Sequence, residues 1–144
     1  MTGARPDGIE RFVRAQAPCF DTVLAELARG RKETHWMWFV FPQLRGLGTS
    51  ERARFYGLDG AGEAETYAAH PILAPRLRAA SELVLSHAGV LSAGEILGAV
   101  DALKLRSCAT LFAHVAPEAR VFRALLDAFY EGAGCAQTKD RLTP

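Results

Sequence analysis

His35-Trp36-Met37-Trp38-Phe39-Val40-Phe41-Pro42-Gln43-Leu44 holds both tryptophans of the 144-residue chain and two of its eight phenylalanines. Buried aromatic side chains each remove a large apolar area from water and carry much of a small domain's stability. The segment is therefore expected at the heart of the core, with helices packed around it. Trp36 to Phe41 has some strand-like composition. Nowhere, however, do apolar and polar residues alternate long enough to require a sheet, and an all-helical reading follows.

Working outward, the basic run Arg29-Gly30-Arg31-Lys32 lies just upstream, and Pro42 leads into a Gly46-Leu47-Gly48 loop just downstream. Further upstream, Asp7 with Glu10 three residues on reads as a capping box. It opens a helix that carries Ile9, Phe12, Val13 and Gln16 and runs to about Ala17, before Pro18 interrupts. Asp21 is placed to cap a second helix, with Val23, Leu24 and Leu27 as its stripe and Gly30 as its stop. Downstream, Ser50 caps a short helix, and a turn from Gly57 to Gly62 leads into another over Glu63 to Ala69. Pro71 marks the next start, and Leu73, Leu77, Ala80, Leu83 and Val84 then recur at helical steps. Ser92 and Glu95 form a second capping box for a helix that Gly98 closes. Asp101 to about Val115 reads as a long helix with Leu105, Cys108, Ala109 and Phe112 inside. Pro117 is expected in the first turn of a last helix bearing Val121, Phe122, Leu125, Leu126 and Phe129.

The expectation is an all-α, single compact multihelical domain of about seven helices, its core over about 8–131, with a polar, mobile tail over 132–144. The length suits one domain. A net charge of +1 provides no global field toward nucleic acid or anionic lipid, so no specific nucleic-acid binding is expected. Cys19, Cys108 and Cys135 are odd in number and lack short metal-type spacing, which suits free thiols in a reducing, cytoplasmic setting. No stretch approaches the 18 or so consecutive apolar residues of a membrane span, and Met1 to Glu10 has no signal-like apolar core. There is no internal repeat and no low-complexity tract.

Several polar residues are candidates for a site, each with a structural alternative. His35 stands at the lip of the aromatic run, as a proton-transfer group or as a cap. His70 precedes Pro71 and either caps the next helix or lines a pocket. Trp36 and Trp38 either offer a stacking platform or pack in the core. Gln43, fixed behind a proline, either reads a ligand's hydrogen-bonding pattern or satisfies loop backbone. Asp101, Lys104, Ser107 and Thr110 fall at successive i, i+3 positions, so one helix carries a polar row beside its apolar stripe. That row is either a site, with Lys104 as base for Ser107, or a solvated or interhelical hydrogen-bonding face. Arg29, Arg31, Lys32, Arg45, Arg52 and Arg54 against Glu33 and Glu51 leave a local excess of four positive charges. No phosphate-loop signature accompanies it. His35, His70, His87 and His114 lack compact ligand spacing, so neither a metal nor another cofactor is expected.

Lys32, the His35-Trp36-Met37-Trp38-Phe39 run, Phe41-Pro42-Gln43-Leu44, Gly48 with Ser50, Tyr67, His70-Pro71-Ile72-Leu73, Arg76-Leu77 and Lys104 with Ser107, Thr110, Leu111 and Phe112 together form a pattern. Over about residues 8–131 it resembles domain-of-unknown-function family 1810, small, multihelical and mostly bacterial proteins. The resemblance implies a helical fold and no established chemistry. Some members carry a calpastatin label, but an aperiodic chain that is 49% hydrophobic is unlike a disordered inhibitor repeat. Where similar proteins have methionine, this chain has Ala109.

The function these features favour is a domain that binds a small anionic or nucleotide-derived ligand, using His35, Trp36, Gln43, Ser50, His70, Asp101, Lys104, Ser107 and Thr110. One alternative is a hydrolase or glycosidase acting on an ADP-ribose-like conjugate, from a faint similarity in the Lys104-to-Phe112 spacing. The adjacent acid and histidine of such enzymes are missing, since Glu33 and His35 are two apart. Another alternative is a protein-interaction module. A monomer or weak dimer is expected.

Overall fold

The structure, a computed structural model, describes residues 8–142. It contains α1 (Glu10–Gln16), α2 (Phe20–Arg29), α3 (Met37–Val40), α4 (Glu51–Phe55), α5 (Ala61–Ala69), α6 (Leu73–Leu85), α7 (Ala93–Leu97), α8 (Ala99–Val115), α9 (Val121–Phe129) and α10 (Ala136–Leu142). Among the described residues ten helices replace the expected seven or so, and the aromatic segment and the supposed tail are two of the additions. Among the described residues the extended pairing is confined to an isolated parallel bridge between Leu44 and Leu58. No helix among them is long and apolar enough to cross a membrane.

The hydrophobic periodicity explains the packing. The interior stripe of α8 (Leu105, Cys108, Ala109, Leu111 and Phe112) is buried, and α5, α7, α9 and α10 pack on this helix. Opposite, α6 buries Leu73, Leu77, Ala80 and Val84 against α2, α5 and α9. Trp36, Met37, Phe39, Val40 and Phe41 join the same core, where Tyr67 and Phe112 lie 5.5 Å apart, centroid to centroid, and extend the aromatic cluster. The aromatic segment is thus core, as expected, but as a one-turn helix.

Caps account for most boundaries. Ser50 Oγ accepts the Ala53 N–H, and Ser92 with Glu95 forms the reciprocal capping box. Gly30 ends α2 at φ 78°, and a Cβ there would stand 2.7 Å from Leu91, so both conformation and contact call for glycine. The Asp7 cap lies outside the described residues. Two other boundaries differ from expectation. Asp21 does not cap α2, because the helix begins one residue earlier; its carboxylate sits in the first turn, favourable to the helix dipole. Pro117 is not in a helix: the Ala119 N–H returns to the Ala116 carbonyl, and this turn delays α9 to Val121.

Residues 132–142, expected as a polar tail, close into α10 against α8. The Cys135 N–H donates to Thr110 Oγ1 at 2.8 Å, and Thr138 is fully buried. The basic run is likewise absorbed in part. The Lys32 N–H donates to the Ile96 carbonyl, and Lys32 Nζ lies 3.0 Å from Asp101 with its side chain almost buried.

Glu26 on α2 holds the aromatic segment in place. Its carboxylate accepts the N–H groups of Glu33 and Thr34, the Thr34 hydroxyl at 2.6 Å and the Trp36 indole N–H at 2.9 Å. Burial alone would push the carboxyl pKa up, but these donors outweigh it and hold the value down at about 2. Because the folded pKa lies below the ordinary 4.5, this stabilisation is present above pH 4.5 and lost as pH falls toward 2. Denaturant melts at a series of pH values should show wild-type stability falling through that window, by on the order of 3 kcal/mol from this group. Glu26→Gln should be less stable at pH 7 and lack that part of the slope. An unchanged acid slope in the variant would show that Glu26 is not its source.

Candidate functional site

The polar row on α8 divides between two environments. At its amino-terminal end, Asp101 bridges two lysines, with Oδ2 3.0 Å from Lys32 Nζ and Oδ1 3.4 Å from Lys104 Nζ. Lys104 Nζ also lies 5.1 Å from the Trp38 ring, within cation–π range, and the Arg52 guanidinium is at the same distance from that ring. Trp38 is therefore a half-exposed cation platform, whereas Trp36 is 1% exposed and belongs to the core.

One turn further, Ser107 Oγ is 3.3 Å from both the Leu103 carbonyl and Cys135 Sγ. Thr110 Oγ1 donates to the Arg106 carbonyl at 2.7 Å and accepts the Cys135 N–H. Ser107 and Thr110 are buried under the start of α10, so this half of the row is an interhelical hydrogen-bonding face.

Between the two halves opens a cleft of about 510 Å³. Lys104, Arg106 and Ser107 of α8 form one wall, Gln43 and Ser50 another, and Cys135 a third, with Leu47, Val100 and Leu103 as apolar surface. Among the described residues no Asp or Glu lines it. Gln43 and Lys104 also border a small recess beside Trp38. Elsewhere a depression of about 430 Å³ between α6 and the start of α9 is lined by Arg78 and Arg120 together with Glu82 and Glu118, so its charges balance.

Of the residues singled out in the sequence, Gln43, Ser50, Lys104 and Ser107 meet in the cleft. Asp101 touches it only through Lys104, and Thr110 lies behind its wall. Trp36 donates to Glu26 inside the core. His70 is a cap, its Nδ1 accepting from Ile72 and Leu73 with Glu10 3.4 Å from its other nitrogen. His35 is exposed and lines no cavity found here. The local basic excess of residues 28–54 contributes nothing to the cleft walls; the cations there are Lys104 and Arg106.

Sequence reasoning passed over Cys135. Its partners on α8 stand 25 and 28 residues away, so no local motif marks it. Burial would push its thiol pKa up, but the Ser107 hydroxyl and the Gln137 and Thr138 N–H groups at the start of α10 outweigh that and hold it below the ordinary value. Burial raises the other two thiols, Cys19 and, far more, Cys108. Alkylation by iodoacetamide near neutral pH, followed by peptide mass spectrometry, should therefore label Cys135 first, Cys19 more slowly and Cys108 only on unfolding. Labelling of Cys135 no faster than Cys108 would show that the cleft does not admit reagents to the thiol.

The family described as "Protein of unknown function (DUF1810)" matches residues 6–142. Among solved structures, the chain is similar to the conserved hypothetical protein Rv1873 from Mycobacterium tuberculosis. The TM-score is 0.91 at 46% identity, covering 96% of this chain and 98% of that one. No curated protein matches.

Proposed function

We propose that the chain, which belongs to the DUF1810 family, uses the cleft along α8 to bind a small anionic or nucleotide-derived ligand. The observation that carries this reading is the lining: Lys104 and Arg106 are present, no described carboxylate lines the cleft, and Asp101 behind Lys104 is shared with Lys32. A volume of about 510 Å³ suits a small molecule, and Leu47, Val100 and Leu103 offer apolar surface for its uncharged part. Ser50, Gln43 and Gln137 add hydroxyl and amide groups that fix orientation. Lys104 is held at the cleft edge by Asp101 and the Trp38 face, so it meets an anion with little loss of side-chain freedom. A glycosidase would need a carboxylate pair about the reacting bond. With none in the cleft walls, binding is the reading we put forward.

Val100 and Leu103, 68% and 63% exposed at the rim, favour a second reading as a contact for a partner protein.

The test is a thermal-shift screen of nucleotides, dinucleotides and sugar phosphates against wild type and Lys104→Met. A ligand at 100 times its dissociation constant stabilises the fold by about 2.7 kcal/mol, which is readily seen as a higher Tm. Lys104→Met should change stability in the absence of ligand by no more than about 1 kcal/mol. It should remove the ligand-dependent rise. If no anionic compound raises Tm at millimolar concentration, or if Lys104→Met responds like wild type, the reading fails.

A further inference from the structure

Cys135 forms part of the cleft wall where the start of α10 meets α8, whereas Cys19 and Cys108 line no part of it. We propose that Cys135 is a thiol–disulfide exchange site, which takes up one half of a small, carboxylate-bearing disulfide as a mixed disulfide inside the cleft. The proposal rests on the reading of the cleft as an anion site, since Lys104 and Arg106 are the groups that face the carboxylates.

The sulfur is surrounded by donors that have little else to serve. Ser107 Oγ is 3.3 Å from Cys135 Sγ and can direct its hydrogen there or to the Leu103 carbonyl. Thr138 is fully buried, and its hydroxyl has no hydrogen-bond partner among the described residues. A buried hydroxyl left without an acceptor is unfavourable. Ionisation of Cys135 supplies that acceptor, because a thiolate accepts far more strongly than a thiol. Burial raises the thiol pKa, but the Ser107 and Thr138 hydroxyls and the Thr138 and Gln137 N–H groups together bring it below its ordinary value. Thr138 has no need to reach the cleft itself: it acts through the sulfur, which lines it. The backbone around the sulfur is fixed as well. The Cys135 N–H donates to Thr110 Oγ1 at 2.8 Å, and Arg106 Nε donates at 2.9 Å to the carbonyl of Ala133, two residues before.

The surroundings select the reagent. A space of about 510 Å³ is far larger than a peroxide needs and admits a small organic disulfide. Lys104 and Arg106 favour carboxylates on it, and the Gln43 and Gln137 amides can pair with peptide-like groups. In the exchange the Cys135 thiolate attacks one sulfur of the reagent, whose S–S bond breaks as a new one forms to Cys135. The other half leaves as a thiolate and takes up the proton that Cys135 gave to water. Cys135 is oxidised and the released thiol is reduced, so no further oxidant is required. No other cysteine lines the cleft, so the mixed disulfide has no neighbouring thiol to resolve it. It persists until an external thiol reverses it, and meanwhile it fills the cleft.

The test exposes the full chain to oxidised glutathione, which is anionic, to neutral 2-hydroxyethyl disulfide and to cationic cystamine. Peptide mass spectrometry follows mixed-disulfide formation at each cysteine, and each rate is divided by that reagent's rate with N-acetylcysteine amide. At Cys135 oxidised glutathione should lead the neutral disulfide by about fivefold, with cystamine slowest. Lys104→Met should remove most of that lead. Thr138→Val, which exchanges the orphan hydroxyl for a methyl, should leave Tm unchanged or higher. It should nevertheless move the pH midpoint of iodoacetamide alkylation at Cys135 upward, and Ser107→Ala should move it the same way. A Thr138→Val midpoint equal to that of wild type, or a Cys135 that exchanges no faster than Cys19 with any of the three, overturns the exchange site and leaves the thermal-shift result for the cleft standing. Equal normalised rates for the three reagents, with Cys135 still the fastest cysteine, overturn the anionic assignment and, with it, the reading of the cleft as an anion site.

Discussion

The buried carboxylate of Glu26 is the interaction on which the rest of the arrangement depends. The stretch from Gly30 to Trp36 has no regular structure to satisfy its backbone, yet it must deliver the largest side chains of the chain into the core. Backbone groups leaving water need partners. Glu26, one turn before the end of α2, accepts from Glu33, Thr34 and Trp36 at once, turning an irregular crossing into a fixed one. Once Trp36 is held, Lys32 lies 5.1 Å from its ring and reaches Asp101, and Asp101 in turn fixes Lys104. The placement of the cleft's cation thus traces back through two ion pairs and an indole to one carboxylate on α2.

Fold class, several caps and the interior faces of α6, α8 and α9 were legible in the sequence because each rests on local rules. Ser92 with Glu95, Ser50 and Gly30 act on neighbours within one helical turn, and their spacing survives any tertiary context. The misread parts depend on distant partners. Trp36 to Phe41 has some strand-like composition within a correct all-helical reading and no helical period of its own, so its one-turn helix is imposed by packing. Residues 136–142 are polar, and only Thr138 turned inward and Thr110 waiting on α8 make them a docked helix. Pro117 is a sound helix-start signal that a turn between Ala116 and Ala119 overrides.

The candidate site shows the same division. Lys104 and Ser107 stand out because the i, i+3 row runs along one helix, and Gln43 and Ser50 because loop and cap chemistry fix them near it. Cys135 has no such signal: its cleft position needs α10 to exist, and α10 was read as tail. His70 and Trp36 are site candidates whose structural alternatives, a cap and a core position, match the contacts they make. In both, the residue type suits a ligand as well as it suits a buried partner, and only the partner's location distinguishes the two.

α10 is the element that joins these observations. At seven residues it is too short to persist alone in water, so its helicity depends on docking against α8. Its amino-terminal flank places Cys135 in the cleft, and its last turn brings Arg141 to a separate depression beside Arg45. Gly134 permits the close approach, since a Cβ there would lie 3.1 Å from Thr110 Oγ1 and 2.7 Å from Lys139. Because the proposed cleft takes a wall from this marginal helix, occupancy of the cleft and the docking of α10 are linked functions: a ligand that contacts the docked helix stabilises docking, and docking strengthens that ligand by the same factor. The carboxyl-terminal helix, the least conspicuous part of the sequence, therefore completes the wall of the cleft.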